Sequence, residues 1–419
     1  MKRRFVISVI LAAVSLGLLL TLPAGCDRRE TVTATLWTDR TSVAAYVEMY
    51  NAAQEDYKIE VEFTPAPADA LLERQEHPDV VLGDFLANAS SFVHFAPVDD
   101  LLAGDAVSED DFYPGLLGLG RREGETYLLP VSFDLPAAMF KRSASNEGLD
   151  QFRLSLETLR SEGAAFNETE DGRYVRVGFS PRWSGEFLYL VAMAYGANFR
   201  EQGRRNPVWN HGSLEDALNA VRSWVEETNG GFESEALFEE RYLYDPPYQL
   251  ILRDRIRFSY TTASRFFSLA ESERRSVDVR WLSREGSIPV LEDIAYIGIP
   301  AEAGQADAGR DFIAWFFDPQ TQAELARAAA RKGLGEFGIA QGFSSLIATN
   351  QEELPQVYPD LLGRVPPPSL LDVPLQVPKN WDDIKRDVIH PWLSRELTDD
   401  AAPEELQREI RAWILQKGD

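Results

Sequence analysis

Pro78-Asp79-Val80-Val81-Leu82-Gly83-Asp84 reads as a short strand, apolar from Val80 to Leu82, that opens into a glycine-containing loop. A strand with no polar face has to be covered on both sides, which is the habit of a parallel sheet held between layers of helices. The segments before it agree. Residues 32–37 read as a strand, and Thr38-Asp39-Arg40-Thr41-Ser42 as a turn rich in helix-capping side chains. Residues 43–53 place Val43, Tyr46, Val47 and Tyr50 on one helical face, and 58–63 alternate as a second strand. Strand, helix, strand and buried strand in succession predict an α/β fold.

The pattern continues downstream. Residues 124–130 read as a turn into a strand, and 137–140, 175–179, 256–260 and 293–299 as further strands. Residues 154–162, 187–194, 214–228, 261–272, 310–331 and 403–416 carry helical periodicity. No internal repeat or low-complexity tract interrupts them.

The amino-terminal end has a different character. Lys2, Arg3 and Arg4 precede an uncharged apolar run over 5–22, and Pro23-Ala24-Gly25-Cys26 closes it. A basic start, an apolar core and small residues at a cleavage point are the signature of a secretory signal. The segment resembles a bacterial lipoprotein signal, which implies that 1–25 are removed, Cys26 carries lipid and 26–31 form a tether. The alternative is an uncleaved anchor, since the run sits near the lower limit of ~17–25 residues needed to span a bilayer. Either way, the remaining chain is expected outside the cytoplasm.

Composition narrows the classes. The 419 residues suffice for two or three domains. Cys26 is the only cysteine, so no internal disulfide or metal–thiolate site is available. A net charge of −25 argues against nucleic acid as a partner, because phosphates would be repelled. The four histidines show no metal-ligand spacing, and no nucleophile elbow, P-loop or dinucleotide fingerprint is present. No metal, cofactor or catalytic residues are therefore expected, and the chain reads as a non-enzyme.

In this order the signals resemble the extracellular solute-binding proteins of the ABC-transporter family, which includes sugar-binding and maltose-binding lipoproteins. Thr35-Leu36-Trp37-Thr38 matches the family's first strand and ligand-facing turn, Tyr50-Asn51 the end of its first helix, and Pro78-Asp79-Val80-Val81 the strand before a second ligand loop. Residues 124–130 resemble the segment before the first crossing between lobes. Asp318-Pro319-Gln320 within 312–322 and Trp381 before a helix resemble late family features. Phe140-Lys141 stands where the family usually has Tyr-Asn. The resemblance implies a two-lobed periplasmic-binding-protein-like α/β fold, each lobe a sheet flanked by helices, with a ligand cleft between them. Lobe 1 is expected at 32–132 and 261–316 and lobe 2 at 133–260 and 317–419, with crossings near 132–135, 260–262 and 314–322. It further implies a membrane-tethered receptor, lipid-anchored on the cell membrane and facing the periplasm or exterior. Such a receptor captures a small solute, a sugar or oligosaccharide, for the transmembrane subunits of an ABC permease. A signalling lipoprotein and a glycan-active enzyme are the alternatives.

Ligands of open α/β sheets bind beyond the carboxyl ends of strands. A sugar needs polar planar side chains and an aromatic platform. Trp37 with Asp39, and Asp84 with Phe85, supply both at two strand ends. Arg182, Trp183 and Phe187 are the expected contacts from the other lobe, Tyr260 lies at a crossing, and Trp381 is added by resemblance. Each aromatic has core packing as its alternative.

Overall fold

The computed structural model describes residues 31–103, 107–142, 149–150, 152–203, 207–332, 336–398 and 403–417. The signal segment and Cys26 lie outside them. The strands that carry the fold are β1 (Val32–Thr38), β2 (Tyr57–Phe63), β3 (Val80–Asp84), β4 (Leu129–Phe133), β5 (Pro136–Lys141), β6 (Arg153–Ser155), β7 (Phe258–Thr262), β8 (Val277–Ser283), β9 (Ile288–Pro289), β10 (Ala295–Gly298), β11 (Phe343–Ser344) and β12 (Leu371–Asp372). Ten of them form a six-stranded sheet in the order β11-β4-β10-β3-β1-β2 and a four-stranded sheet in the order β7-β5-β8-β6, while β9 pairs with β12. β1 runs parallel to β2 and β3, with Trp37 opposite Glu62 on one side and Val81 on the other. β10, β4 and β11 add antiparallel pairings, so the sheet is mixed rather than purely parallel.

Helix α1 (Ser42–Ala53) buries the expected Val43, Tyr46, Val47 and Tyr50. Short α2 (Pro67–Glu73) packs on β3. In the second lobe, α3 (Leu156–Phe166), α4 (Gly185–Ala194) and α5 (His211–Thr228) cover the smaller sheet. The two faces of that sheet feed different cores. Ala137, Met139, Val279 and Trp281 join the first hydrophobic cluster, and Ala138, Phe140, Phe258 and Leu282 the second. This is the alternation a strand imposes on successive side chains.

Crossing segments connect the sheets, and two of the three differ from expectation. The first, Asp134-Leu135 between β4 and β5, falls inside the expected 132–135. The second does not lie at 260–262, because Tyr260 and Thr262 are still paired with β5. The chain instead adds β8 to the smaller sheet and crosses between Ser283 and Ala295, so 277–283 belong with lobe 2 and not lobe 1. β8 escaped the sequence reading because Asp278 and Arg280 interrupt its apolar pattern. Both are buried, with Arg280 Nη1 2.9 Å from Asp278 Oδ2 and Arg364 closing on the same carboxylate.

The third crossing does not lie at 314–322 either. Helix α6 (Ala306–Phe317) packs on β1 and β2, with Tyr50 Oη donating to Asp311 Oδ2 at 2.6 Å. Helix α7 (Pro319–Lys332) stays on that side as well: Gln322 Nε2 donates to Phe316 O at 2.8 Å, and Ser344 Oγ of β11 donates to Gln322 Oε1 at 2.9 Å. Residues 319–332 and 336–344 thus remain with the first lobe. The chain returns to the second only after β11, through β12 and into the helical run Trp381–Ile384, Lys385–Ile389 and His390–Glu396. The middle part, Lys385–Ile389, is a π-type turn, a register change that occurs often where helices serve a site.

Candidate functional site

A cavity of about 650 Å³ opens where the crossing segments meet the second lobe, a size suited to a small solute. Its walls follow from the elements. Ser184 caps α4, its Oγ accepting from Phe187 N at 3.3 Å, and the helix then presents Glu186, Tyr189 and Met193 to the cavity. Tyr260 and Thr262 come from β7, and Pro289 to Asp293 from the second crossing. Asp372 ends β12 and Val373 to Leu375 follow it, and the helical run around the π-type turn brings Asp382, Lys385 and His390 to the cavity. Leu156, Met193, Leu282, Val290 and Leu375 supply apolar wall, and carboxylates and cations line the same cavity. Ring faces and hydroxyl partners thus both have counterparts.

The polar part is a network centred on Glu292, which is 8% exposed. Tyr189 Oη donates to Glu292 Oε1 at 2.6 Å, and Lys385 Nζ donates to Oε2 at 3.0 Å. Lys385 also lies 2.9 Å from Asp382 Oδ1 and 5.4 Å above the Tyr189 ring. Below them Trp381 Nε1 donates to Tyr189 Oη at 3.3 Å. Arg265 donates to both oxygens of Glu186 at 2.6 Å. Asp134, in the first crossing, accepts from the backbone of Leu135 at 2.8 Å and of Ser264 at 3.1 Å. Burial and the nearby Lys385 charge depress the His390 imidazole below its usual range.

The first lobe closes on this region with the carboxyl ends of β1 and β3. Arg40 pairs with Asp84, donates to Gln341 Oε1 at 2.8 Å, and lies 3.6 Å from Asp39 Oδ1. Burial and the Asp84 charge raise the Asp39 carboxyl to about 7, with Arg40 opposing. Asp382 and Lys385 of the second lobe are near enough to act on Asp84. Asp293, between the lobes, is raised to about 8 by burial and by Asp382, Asp84 and Asp134. Direct contacts hold the lobes together. Phe85, at φ 55, packs into the second core. Ala89 N donates to Glu201 at 3.1 Å, Gln376 donates to Ala87 O at 3.0 Å, and Lys379 pairs with Asp69.

The residues expected from sequence divide. Tyr260 lines the cavity, whereas Asp39, Asp84 and Phe85 lie at the ends of β1 and β3 and are not in its wall, Asp84 pairing with Arg40 and Phe85 packing on the second core. Trp37 is not at the cleft. It is 3% exposed, its Nε1 donates to Glu62 Oε2 at 3.0 Å, and Arg74 covers its ring at 4.7 Å. Arg182 pairs with buried Glu235 at 3.1 Å and lies over Phe232, away from the cavity. Trp183 stacks on Phe238 at 6.1 Å, a core contact rather than a platform. The expectation of 175–179 as one strand is also corrected: the strand is Arg173–Arg176 in a two-stranded ribbon, so no strand end aims 182–183 at a ligand. Phe187 and Trp381 are fully buried and act from behind, Phe187 against the Tyr260 ring at 5.8 Å and Trp381 through Tyr189. Sequence reasoning missed Tyr189, Glu292, Asp293 and Lys385. The run Glu292-Asp293 within an otherwise apolar stretch, Ile288 to Ile299, was the available signal.

No family profile and no curated protein sequence matches the chain. Solved structures do match in fold. The sugar-binding protein MalE of the phytopathogen Xanthomonas citri aligns over 93% of this chain and 100% of its own, with a TM-score of 0.66 and 14% identity. An ABC substrate-binding protein of Listeria monocytogenes in complex with cycloalternan aligns over 93% and 99%, with a TM-score of 0.64 and 13% identity. The cyclic alpha-maltosyl-1,6-maltose binding protein of Arthrobacter globiformis aligns over 91% and 97%, with a TM-score of 0.63 and 15% identity. The chain therefore has the two-lobed α/β fold of these binding proteins over nearly its whole described length.

Proposed function

We propose that the protein is an extracytoplasmic solute-binding receptor of the ABC-importer type whose ligand is a carbohydrate held in the cavity around Tyr189, Tyr260, Glu292 and Lys385. The observation that carries this reading is the cavity's place, walled by the crossing segments and the second lobe of a two-lobed fold, with the first-lobe carboxyl of Asp84 near enough to feel Asp382 and Lys385 in that wall. The sugars bound by proteins of similar fold support the class, and apolar side chains beside buried carboxylates suit a ring with hydroxyls. Delivery requires exchange between open and closed lobes, and the Phe85, Gln376 and Lys379 contacts are those a closed form would use. The site's chemistry is that of capture, with no turnover assigned to it. Tethering through lipid on Cys26 and docking to permease subunits complete the proposal. Among the described residues no helix is long and apolar enough to cross a membrane.

A thermal-shift panel of mono- to tetrasaccharides tests it. A ligand at ~100 times its Kd adds about 2.7 kcal/mol of stability, a shift of a few degrees. A panel in which no carbohydrate, neutral or charged, moves the melting temperature overturns the reading. Replacing Cys26 by Ala tests the anchor: the Cys26→Ala chain should accumulate unprocessed, whereas wild-type processing at another residue refutes lipidation there.

A further inference from the structure

The charges around the cavity do not balance, and the excess has a location. Arg265 is taken by Glu186, and Lys385 by Glu292 and Asp382. Arg386 is held by Asp383 and Asp387, and Arg284 lies 4.1 Å above the Tyr195 ring with Glu285 at 3.6 Å. Asp134 is satisfied by the backbone N–H groups of Leu135 and Ser264 on one oxygen and by the Ser264 hydroxyl on the other. Asp372, which also lines the cavity, is exposed to solvent, so Asp293 is the buried remainder. It lines the cavity, and its buried Oδ1 accepts no hydrogen bond. The groups that act on it are Asp382, Asp84 and Asp134, with Lys385 opposing and Arg40 near enough to feel its charge. Adjacent Glu292 already spends its oxygens on Tyr189 and Lys385.

We infer that the natural ligand carries a protonated amine, as an aminated sugar does, and that Asp293 is its counter-ion. This rests on the reading of the cavity as a solute site. A hydroxyl donor would fill the vacant lone pair and leave Asp293 protonated, held so by burial and by Asp382, Asp84 and Asp134. An ammonium fills the same position and offsets those negative charges, so that Asp293 ionises beside it, and complementarity of charge at a desolvated position is what sets specificity. Before binding, a carboxyl raised to about 8 holds its proton at neutral pH. An ammonium arriving beside it favours the anion, so binding of the protonated amine releases one proton from Asp293 to solvent.

The full-length chain in mild detergent is titrated calorimetrically with the β-1,4 trimer of glucosamine and with cellotriose, which carries hydroxyl in place of each amine. The expected result is about tenfold or tighter binding of the aminated trimer, the discrimination a charged hydrogen bond provides. Near pH 6.5 its heat should depend on the ionisation enthalpy of the buffer, reporting proton release, and cellotriose should show no such dependence. Asp293→Asn should abolish both the preference and the proton release; the wild-type buffer comparison stands even where that variant fails to fold, and Asp293→Ser repeats the test. Equal or tighter binding of cellotriose overturns the amine inference and leaves the carbohydrate reading standing. Binding of neither sugar overturns the inference of an aminated sugar on Asp293, and the carbohydrate reading is then decided by the wider saccharide panel.

Discussion

Replacing Lys385 by Met tests whether the Glu292 network is as buried as its geometry states. The side chains of Lys385 and Glu292 are 14% and 5% exposed and meet at 3.0 Å. Removing one partner of such a pair leaves an uncompensated charge, at a cost of about 3–5 kcal/mol. Two features moderate it. Tyr189 still donates to Glu292 at 2.6 Å, and a hydrogen bond to a charged group retains about 1.5–3 kcal/mol of interaction. Asp382, the second partner, is 53% exposed, so its loss adds less than about 0.5 kcal/mol. The expected destabilisation is about 3 kcal/mol at pH 7 by urea unfolding. Glu292→Gln should cost less, because Lys385 keeps Asp382 and solvent. The double variant should be more stable than Lys385→Met alone, giving a coupling of about 2 kcal/mol. Lys385→Met within about 0.5 kcal/mol of wild type would refute the argument, since water would then be reaching Glu292. A large cost with no recovery in the double variant would assign Lys385's role to packing over the Tyr189 ring.

The remaining expectations use other measurements. Trp37→Ala should lose about 3–5 kcal/mol of stability and leave ligand affinity in the surviving folded protein unchanged; reduced affinity at full stability would return Trp37 to the site. Asp39 and Asp293, raised from 3.8 to about 7 and about 8, bind protons in the folded state that the unfolded chain has already lost. Their contribution therefore lowers stability progressively as pH rises from about 4 to about 8, and Asp293→Asn should flatten that slope, measured by unfolding at several pH values. Phe85→Ala with Lys379→Met should loosen the closed arrangement, seen as a larger radius of gyration by small-angle scattering that a saturating ligand reverses; no change in either state would mean that these contacts do not hold the lobes.

The order of elements was readable because burial on both faces leaves a plain mark, as in Val80-Val81-Leu82, and because α1 repeats its apolar residues at helical spacing. Where the reading failed, the mark was covered or direction was undetermined. β8 hid its burial behind Asp278 and Arg280, whose charges are neutralised by each other and by Arg364, a residue distant along the chain. Placing Trp37 near the end of β1 identified the right edge of the sheet but not the right side of it. Successive residues on a strand point to opposite faces, and Trp37 turns toward Glu62 and Arg74 while Arg40, beyond the strand, reaches Asp84.

The same reasoning explains Trp381. A tryptophan opening a helix looks like a platform in sequence, yet here it lies in the second core and its N–H orients Tyr189. The π-type turn that follows shifts the helical register, so Lys385 and His390 share the cavity side instead of the spacing an uninterrupted α-helix would give. Trp381→Phe separates these roles. It keeps most of the buried ring but deletes the donor to Tyr189 Oη, so stability should fall by about 1 kcal/mol while Tyr189 loses one of the bonds fixing its hydroxyl toward Glu292. Affinity should then weaken severalfold although Trp381 touches no ligand. If affinity is unchanged while stability drops, Tyr189 is held by Glu292 and Lys385 alone, and Trp381 is a core residue with no part in binding.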